Sequence, residues 1–594
     1  MLTESLNYPF DAHYLLRKKK AIRRNLLQRT DLLEKRIAIL GGSTTAEIKD
    51  MLELFLLKDG IKPIFYESDY NKYYEDLMFS NTSLEEFAPE VIYIHTTSVN
   101  ITRFPNLQEN AVDVDALLAQ EMNRFQALWD RAAAHYGCSV IQNNFELPHY
   151  RMLGNMDSYD LHGRSCFILE LNRRFSEQMR LRQHLHLNDI NYLSAWFGLE
   201  RWYDKFFWYS YKYAMSYEVI PLLADSVASI IKAIYGKTRK CLVLDLDNTL
   251  WGGVIGDDGL NGIRIGKETP EAEAYTEFQE YVKGLKERGI ILAVCSKNDD
   301  ANAREGFSHP DSILKLEDFS TFQANWDPKH ENVREIAKNL NIGIDSLVFA
   351  DDNPIERNIV RSQEPQVAVP ELGNNVARYI NVLDKTCYFE TVSLSTDDLQ
   401  RTSFYAGNAI RSEIESKYTS YEEFLSSLEM KAEIKPFSPI YLDRLTQLIN
   451  KTNQFNVTTR RYTQAEINAM SVDGRYITIY GRLLDKFGDN GLISILIAEC
   501  RGSELHIDLW LMSCRVLKRG MEHAMFDQLI CEARKRGILT IYGNYYPTAK
   551  NGMVKDLYGE LGFIKVKAGE NGDTTWLFDI PTVYTNKNLF IEVN

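Results

Sequence analysis

Short apolar runs alternate with stretches of helical periodicity along the first part of the chain. Residues 36–40 form an apolar run that ends at Gly41-Gly42-Ser43, and residues 46–57 follow with a helical pattern. A second run, 91–94, has the apolar character of a buried strand. Strands that alternate with helices predict an α/β domain. The aromatic-rich stretch 190–235 predicts a packed helical segment that closes this domain.

The same alternation is clearer in the middle of the chain. Apolar runs at 241–244, 290–294 and 346–350 predict three strands. Between them, 271–288 and 330–340 have the period of amphipathic helices. This order predicts a parallel, doubly wound sheet, and functional residues in such sheets lie beyond the carboxyl ends of the strands.

The last part of the chain has a different pattern. It begins with charged helical stretches, continues with two predicted strands at 492–498 and 505–511, and then has a turn followed by a helix within 515–537. Further strands end the chain, which is typical of an α+β domain. We therefore predict a multidomain α/β protein with three domains, at 1–235, 236–387 and 388–594.

Composition and charge narrow the classes of function. The chain has 594 residues, of which 45% are hydrophobic and 25% charged, and its formal net charge is -14. Nucleic-acid binding needs clustered Lys and Arg, so we do not predict a nucleic-acid partner. No apolar run is long enough to span a membrane, and no signal-peptide pattern opens the chain. The cysteines form no zinc-like cluster, and we expect a cytoplasmic protein.

Two aspartates follow the first central strand directly. Asp245 and Asp247 stand one residue apart, so both side chains can face the same crevice. Asp245 can attack phosphorus as a carboxylate nucleophile, and Asp247 can donate and then accept a proton. Neighbouring carboxylates repel each other, so a divalent cation is needed to hold both beside an anionic substrate. A lone Asp-x-Asp is more often a turn or a helix cap, and this prediction depends on the residues that follow.

Three further groups of residues that phosphoryl transfer can use follow along the chain. Ser296 follows the second central strand and can hold a phosphoryl oxygen, whereas Lys329 can neutralise the attacked phosphate and orient Asp245. Asp351 and Asp352 follow the third strand. We predict Mg²⁺ held by Asp245, the backbone carbonyl of Asp247 and Asp351, with Asp352 adjacent to this set.

The order of these motifs resembles that of the haloacid dehalogenase superfamily. The stretch 244–259 (LDLDNTLWGGVIGDDG), together with 295–298 (CSKN) and 349–354 (FADDNP), resembles specifically the FkbH-like branch. The resemblance implies an aspartyl-phosphate intermediate and a substrate-binding role for Thr249 and Asn298. The segments between the motifs are mostly predicted helix and strand, so we expect no cap domain over the site.

The FkbH-like resemblance also implies a substrate and a partner. It implies capture of the glyceryl group of 1,3-bisphosphoglycerate, loss of phosphate, and transfer of the glyceryl group to an acyl carrier protein. Cys295, immediately before Ser296, could form the glyceryl thioester, or could be an ordinary buried cysteine. A phosphatase acting on a sugar- or polyol-phosphate in a polysaccharide pathway is the alternative hypothesis. A scaffold with vestigial sites is a third hypothesis. A homo-oligomer is left open.

The first domain resembles SGNH-type hydrolases. Gly41-Gly42-Ser43 stands where that family has its nucleophile block, although Gly42 replaces the usual Asp. Ser43 could be a nucleophile or an ordinary helix cap. Asp204 stands in a late position typical of the family, but Phe207 replaces the His, and His95 and His162 lack a matching motif. A degenerate binding or assembly domain is therefore expected.

The last domain resembles GNAT-type acyltransferases. The stretch 509–522 resembles their strand, pyrophosphate loop and helix start. The resemblance implies that Arg515, Lys518, Arg519 and Gly520 bind the diphosphate of CoA or the phosphate of a phosphopantetheine arm. Lys518 stands where that family often has Gly, and no general base is evident. A docking site for a carrier-protein arm is therefore favoured over acetyl transfer.

Overall fold

The structure is a computed structural model that describes residues 4–30, 32–401, 404–405, 407, 411, 414, 417–548 and 550–594. The chain divides into two compact units, Met1–Tyr235 and Gly236–Asn594. Part of the charged helical stretch predicted after residue 388 lies outside the described residues. None of the helices in the described ranges combines the length and apolar character that a bilayer crossing demands.

The first unit contains a five-stranded sheet in which every pair of neighbouring strands is parallel. Its strand order is β2-β1-β3-β4-β5. The strands are β1 (Leu33–Gly41), β2 (Ile61–Glu67), β3 (Val91–His95), β4 (Ser139–Asn143) and β5 (Leu185–Asn188). The α/β domain predicted for this region is confirmed, and the structure adds that its strands are parallel.

Ten helices accompany the sheet in the described part of this unit. They are α1 (Ala12–Leu26), α2 (Ala46–Lys58), α3 (Tyr73–Met78), α4 (Thr82–Phe87), α5 (Ala111–Tyr136), α6 (Arg164–Leu181), α7 (Ile190–Phe197), α8 (Leu199–Trp202), α9 (Lys205–Tyr211) and α10 (Ile220–Ile234). The last four confirm the helical closing segment. Edge-to-face contacts join Phe125 and Trp129 of α5 to Phe175 of α6, and these buried rings form much of one core.

The second unit begins with a four-stranded parallel sheet of order β8-β7-β6-β9. Its strands are β6 (Cys241–Leu244), β7 (Ile291–Ser296), β8 (Thr321–Ala324) and β9 (Leu347–Ala350). Three of them confirm predicted strands. The edge strand β8 was not predicted, because its half-exposed sequence Thr-Phe-Gln-Ala has no apolar run.

Helices flank both faces of this sheet. They are α11 (Ile255–Asp258), α12 (Pro270–Glu287), α13 (Asp300–Glu305), α14 (Lys329–Asn339), α15 (Pro354–Gln363) and α16 (Tyr379–Lys385). The fully buried Phe278 and Val282 of α12 pack in one core, and Val333 and Ile336 of α14 pack in the other. The described segments between the strands form no cap domain, so the capless, doubly wound sheet is confirmed.

The rest of the second unit is a nine-stranded, mostly antiparallel sheet. Its order is β16-β17-β15-β14-β13-β12-β10-β18, and β11 pairs with β14. The strands are β10 (Met430–Pro436), β11 (Phe455–Asn456), β12 (Tyr476–Asp485), β13 (Gly488–Arg501), β14 (Glu504–Met512), β15 (Thr540–Tyr545), β16 (Ile564–Ala568), β17 (Thr574–Asp579) and β18 (Ile591–Val593).

Six helices are described beside this sheet. They are α17 (Thr396–Leu399), α18 (Tyr421–Ser427), α19 (Leu442–Lys451), α20 (Gln464–Val472), α21 (Met521–Lys535) and α22 (Leu557–Glu560). The long β12–β13–β14 meander is followed by α21 and a parallel return to β15. This is the GNAT-like α+β arrangement that the sequence predicted.

Candidate active site

The candidate site lies at the carboxyl edge of the four-stranded sheet. Asp245 directly follows β6, Ser296 is the last residue of β7, and Asp351 directly follows β9. Since β6 lies between β7 and β9, these three chain positions meet at one edge. Lys329 begins α14, the helix that follows β8.

Lys329 joins two of the aspartates. Its Nζ lies 2.9 Å from Asp245 Oδ2 and 2.6 Å from Asp351 Oδ2, and the lysine is 3% exposed. Burial acts to lower the pKa of Lys329, but the two carboxylates outweigh burial and hold it above its usual value. The lysine is therefore a fixed positive charge between two strand ends.

Three carboxylates are grouped closely enough to hold a cation. One carboxyl oxygen from each of Asp245, Asp351 and Asp352 lies within 4.8 Å of the others. Burial, followed by the negative charge of Asp245, raises the pKa of Asp351 to about 7, and the same two causes raise that of Asp352. An all-oxygen donor set whose carboxylates repel one another suits a hard divalent cation such as Mg²⁺.

Asp247 is not a member of that group and has hydrogen-bond donors of its own. Its Oδ1 accepts hydrogen bonds from Trp251 Nε1 (2.9 Å) and the backbone N of Ile255 (3.1 Å), and its Oδ2 accepts one from Asn298 Nδ2 (3.0 Å). Burial is the largest cause of the raised pKa of Asp247. Its side chain contributes no oxygen to the three-carboxylate group, so its predicted place among the metal ligands depends on its backbone carbonyl.

Thr249 and Asn298, the two residues of this domain predicted to bind substrate, both contact aspartates of the site, and their substrate-binding role stays a prediction. The fully buried Thr249 accepts from the backbone N of Asp352 (3.2 Å), and Asn298 donates to Asp247. Trp251 and Arg357 were not predicted from the sequence as residues of the site. Arg357 donates to the backbone carbonyls of Asp351 (2.8 Å) and Asp352 (2.6 Å), so it fixes the turn that carries them. Its only sequence signal is its place three residues after the Asp-Asp-Asn-Pro stretch.

Cys295 and Ser296 are neighbours whose side chains leave opposite faces of β7. The fully buried Cys295 packs with Val333 and Ile336 of α14, and its Sγ lies 3.7 Å from the carbonyl oxygen of Lys329. Burial is the main reason that the pKa of the Cys295 thiol lies far above its usual value. The thiol therefore lies in the core beneath the site, and Ser296 (1% exposed) ends the strand at the site itself.

The candidate hydrolase residues of the first unit form no Ser-His pair. Ser43 is 2% exposed, and its Oγ has no hydrogen-bond partner among the described residues. Asp204 caps α9 by accepting from the backbone N of Phe207 (2.9 Å). His162 Nδ1 lies 2.8 Å from Asp160 Oδ1. His95 is fully buried, and burial lowers its pKa to about 4.

Two arginines of the predicted diphosphate loop have side chains that point into the protein. Arg519 donates to Asp485 (2.9 Å), and Arg515 lies 4.5 Å over the ring of Phe404. Both arginines are buried, whereas Lys518 is exposed. Gly520 has a positive φ of 77° and forms the N-cap of α21. Of the four residues of this predicted site, Lys518 is therefore the one that is exposed to solvent, and Gly520 is partly exposed.

Comparison with known proteins agrees with this architecture. The family model described as FkbH, N-terminal domain, matches residues 36–232. The N-terminal part of the protein BF1531 from Bacteroides fragilis contains a phosphatase domain and was crystallised with Mg. It is 32% identical to this chain, covers 63% of this chain and 99% of its own length, and has a TM-score of 0.59. No curated protein matches the chain.

Two acetyltransferases are also similar in fold. The ribosomal-protein-S18-alanine N-acetyltransferase from Escherichia coli is 17% identical over 27% of this chain and 99% of its own, with a TM-score of 0.20. The PaiA N-acetyltransferase from Thermoplasma acidophilum, in complex with coenzyme A, is 13% identical over 25% of this chain and 99% of its own, with a TM-score of 0.21.

The capless parallel sheet, with its aspartates and lysine at the strand ends, defines a domain of the haloacid-dehalogenase phosphatase type. The N-terminal family model and the similarity to nearly the whole of the BF1531 fragment identify the branch. The chain belongs to the FkbH-like family.

Proposed function

We propose that the central domain is a Mg²⁺-dependent phosphatase that forms an aspartyl-phosphate on Asp245. The observation that carries this proposal is the position of Lys329 Nζ, 2.9 Å from Asp245 and 2.6 Å from Asp351, at an edge where three carboxylates converge. A purely structural ion pair does not need a third carboxylate, because each added negative charge in a buried site costs free energy.

In the proposed reaction, Asp245 is the nucleophile and Asp247 transfers the protons. A carboxylate oxygen of Asp245 attacks phosphorus, the bond to the leaving oxygen breaks, and Asp247 gives that oxygen a proton. A water molecule then attacks the aspartyl-phosphate and returns a proton to Asp247, which releases phosphate and regenerates Asp245. Lys329 balances the charge of the attacked phosphoryl group, and Ser296, the last residue of β7, is the proposed contact for one of its oxygens.

Asp245, Asp351 and Asp352 would hold Mg²⁺. The BF1531 fragment, which was crystallised with Mg, supports this choice of ion. The bound cation would neutralise negative charge around the phosphoryl group. It would also offset the repulsion from Asp245 that, after burial, is the second cause of the raised pKa of Asp351.

The proposed substrate is a phosphorylated small molecule, and two substrate classes have to be distinguished. Transfer of a glyceryl group from 1,3-bisphosphoglycerate to an acyl carrier protein is the outcome that the FkbH-like resemblance favours. Cys295, the sequence candidate for the thioester, is buried beneath the site and gives that route no support. A phosphatase acting on a sugar- or polyol-phosphate needs no thiol, whereas a scaffold with vestigial sites would not need clustered carboxylates.

Phosphate release tests the central proposal. Wild type should release phosphate from at least one ester in a panel of sugar, polyol and aryl phosphates when Mg²⁺ is present, and EDTA should stop it. Asp245→Asn should abolish release, whereas Asp257→Asn, a change at an exposed aspartate of α11, should not. Acid quenching should trap a hydroxylamine-sensitive phosphate on wild type. Full activity in Asp245→Asn would overturn the proposal.

Intact mass spectrometry separates the two substrate classes. The protein is incubated with Mg²⁺ and 1,3-bisphosphoglycerate beside Cys295→Ala. A glyceryl adduct on wild type that is absent from the variant would establish the transferase. Phosphate release without an adduct on either protein would favour the plain phosphatase.

The flanking domains have proposed binding roles. We assign the first unit to binding or assembly, because Ser43 has no histidine partner in the part of the chain that the structure describes. Lys518 and the N-terminus of α21 are the proposed contact for a carrier-protein arm. Titration with CoA should show saturable binding that Lys518→Glu weakens, and no binding of CoA or of a loaded carrier would remove this role. None of the eight cysteines, all of which lie in the described part of the chain, forms a disulfide bond, which fits the cytoplasmic location we propose.

A further inference from the structure

The two carboxylate oxygens of Asp247 have unequal numbers of hydrogen-bond donors. Oδ1 accepts from Trp251 Nε1 (2.9 Å) and from the backbone N of Ile255 (3.1 Å). Oδ2 accepts from Asn298 Nδ2 (3.0 Å). Each carboxylate oxygen has two lone-pair directions. These three bonds therefore fill both directions on Oδ1 and leave one open on Oδ2.

The side chains that donate these bonds are themselves held in place. Trp251 is fully buried, and its ring stands edge-to-face with that of Phe307, with 5.3 Å between the centroids and 74° between the planes. A Cβ atom on Gly306 would lie 2.7 Å from the indole ring, so glycine makes room for Trp251 at that point. The backbone N of Asp299 donates to Asn298 Oδ1 (2.9 Å), which turns the amide nitrogen of Asn298 toward Asp247.

The third donor comes from a helix end. Ile255 is the first residue of α11, and its N–H has no acceptor inside the helix. Asp247 Oδ1 supplies that acceptor. The loop from Trp251 to Ile255 therefore donates two hydrogen bonds to Oδ1 of Asp247, and these bonds oppose rotation of the carboxylate.

We propose that Trp251 and the Ile255 amide are positioning groups that leave Oδ2 as the proton-transfer oxygen of Asp247. This inference rests on the acid–base role given to Asp247 in the proposed function. Without the indole N–H, Oδ1 regains an open lone-pair direction and the carboxylate can turn. The proton on Oδ2 then points toward the leaving oxygen in a smaller fraction of enzyme–substrate complexes. Cleavage of esters whose leaving group needs that proton therefore becomes slower.

The test compares two substrates that differ in their need for a proton. p-Nitrophenolate leaves as an anion, whereas phenolate is a poorer leaving group that benefits from protonation. The value of kcat/KM for each ester reports the steps up to formation of the aspartyl-phosphate. Trp251→Phe should lower kcat/KM for phenyl phosphate by about 10-fold or more and that for p-nitrophenyl phosphate by much less. The ratio of the two values does not depend on the fraction of folded protein.

Two controls isolate the hydrogen bond from packing. Phe319→Leu removes a ring that packs on Phe307 and not on the indole, keeps the N–H donor, and should leave the ratio unchanged. Ile255→Pro removes the second donor. Val254 is already extended (φ -115°, ψ 110°), which suits a following proline, and proline is accepted at the first position of a helix. Ile255→Val keeps the N–H and should retain the wild-type ratio.

The outcomes distinguish this inference from the proposed function. Asp247→Asn is the reference and should change the ratio at least as much as Trp251→Phe. Suppose that Asp247→Asn changes the ratio while Trp251→Phe and Ile255→Pro lower kcat/KM equally for both esters. In that case the role of Trp251 and of the Ile255 amide is structural, and the inference is wrong. If Asp247→Asn itself does not discriminate between the esters, the acid–base role in the proposed function fails first.

Discussion

Lys329 Nζ and Asp351 Oδ2 are 2.6 Å apart and almost completely buried, and the same nitrogen also reaches Asp245. The lysine therefore joins the ends of two neighbouring strands, β6 and β9. Because one cation balances two buried carboxylates, its loss should affect both folding and chemistry.

Lys329→Met should reduce phosphate release by about 10²–10³-fold, because the attacked phosphoryl group loses a fixed positive charge. It should also lower the free energy of unfolding by about 3–5 kcal/mol, since two carboxylates remain buried without their cation. Adding Asp351→Asn to this variant should restore part of the stability but none of the activity. Denaturant unfolding and a phosphate assay measure the two effects, and equal stability of the single and double variants would contradict this account.

The two adjacent aspartates should differ in how strongly they affect metal binding. Asp351 is fully buried and paired with Lys329, whereas Asp352 is half-buried and its backbone N donates to Thr249. Asp351→Asn should therefore raise the Mg²⁺ concentration needed for half-maximal activity more than Asp352→Asn does. Titration of each variant with Mg²⁺ gives this comparison, and a larger effect of Asp352→Asn would reverse the assignment.

Stability of the first unit should depend on the ionisation of Glu146. This residue is fully buried and accepts hydrogen bonds from Ser98 Oγ (2.7 Å) and Tyr203 OH (3.0 Å), and burial raises its pKa to about 7. Between the ordinary glutamate pKa and this value, the folded state binds a proton that the unfolded state has lost. Stability should therefore fall as pH rises through this window and change no further above it.

Glu146→Gln isolates this effect because it keeps the size of the side chain and removes the titration. The melting temperature of wild type relative to Glu146→Gln should fall between about pH 5 and pH 8. Parallel melting temperatures across that range would show that Glu146 titrates normally.

A buried carboxylate should stabilise the loop that precedes α21. Asp485 accepts from Arg411 (2.7 Å) and Arg519 (2.9 Å), and burial lowers the pKa of Arg519 to about 10. Asp485→Asn should lower the free energy of unfolding by about 3–5 kcal/mol, because two buried guanidinium groups lose their counter-charge. Phosphate release by the central domain should persist in the folded fraction. Unchanged thermal unfolding would show that solvent or another acceptor already compensates the arginines.

Local patterns predicted much of the fold. The apolar runs before Gly41 and Asp245 are strands, and the periodic stretches after them are helices, because burial of one face imposes its period on the sequence. The edge strand β8 was missed, since a half-exposed strand needs no continuous apolar run.

The order of the chemical groups can be taken from the sequence alone: Asp245, Asp247, Ser296, Lys329 and Asp351 follow one another at the ends of predicted elements. The directions in which the side chains point are set by the folded structure. It placed Cys295 in the core although Ser296 lies at the site, turned Arg519 inward to Asp485, and brought Trp251 to Asp247. Spacing along a chain fixes which element a residue belongs to, whereas burial and hydrogen-bond partners come from distant segments that only the folded chain brings together.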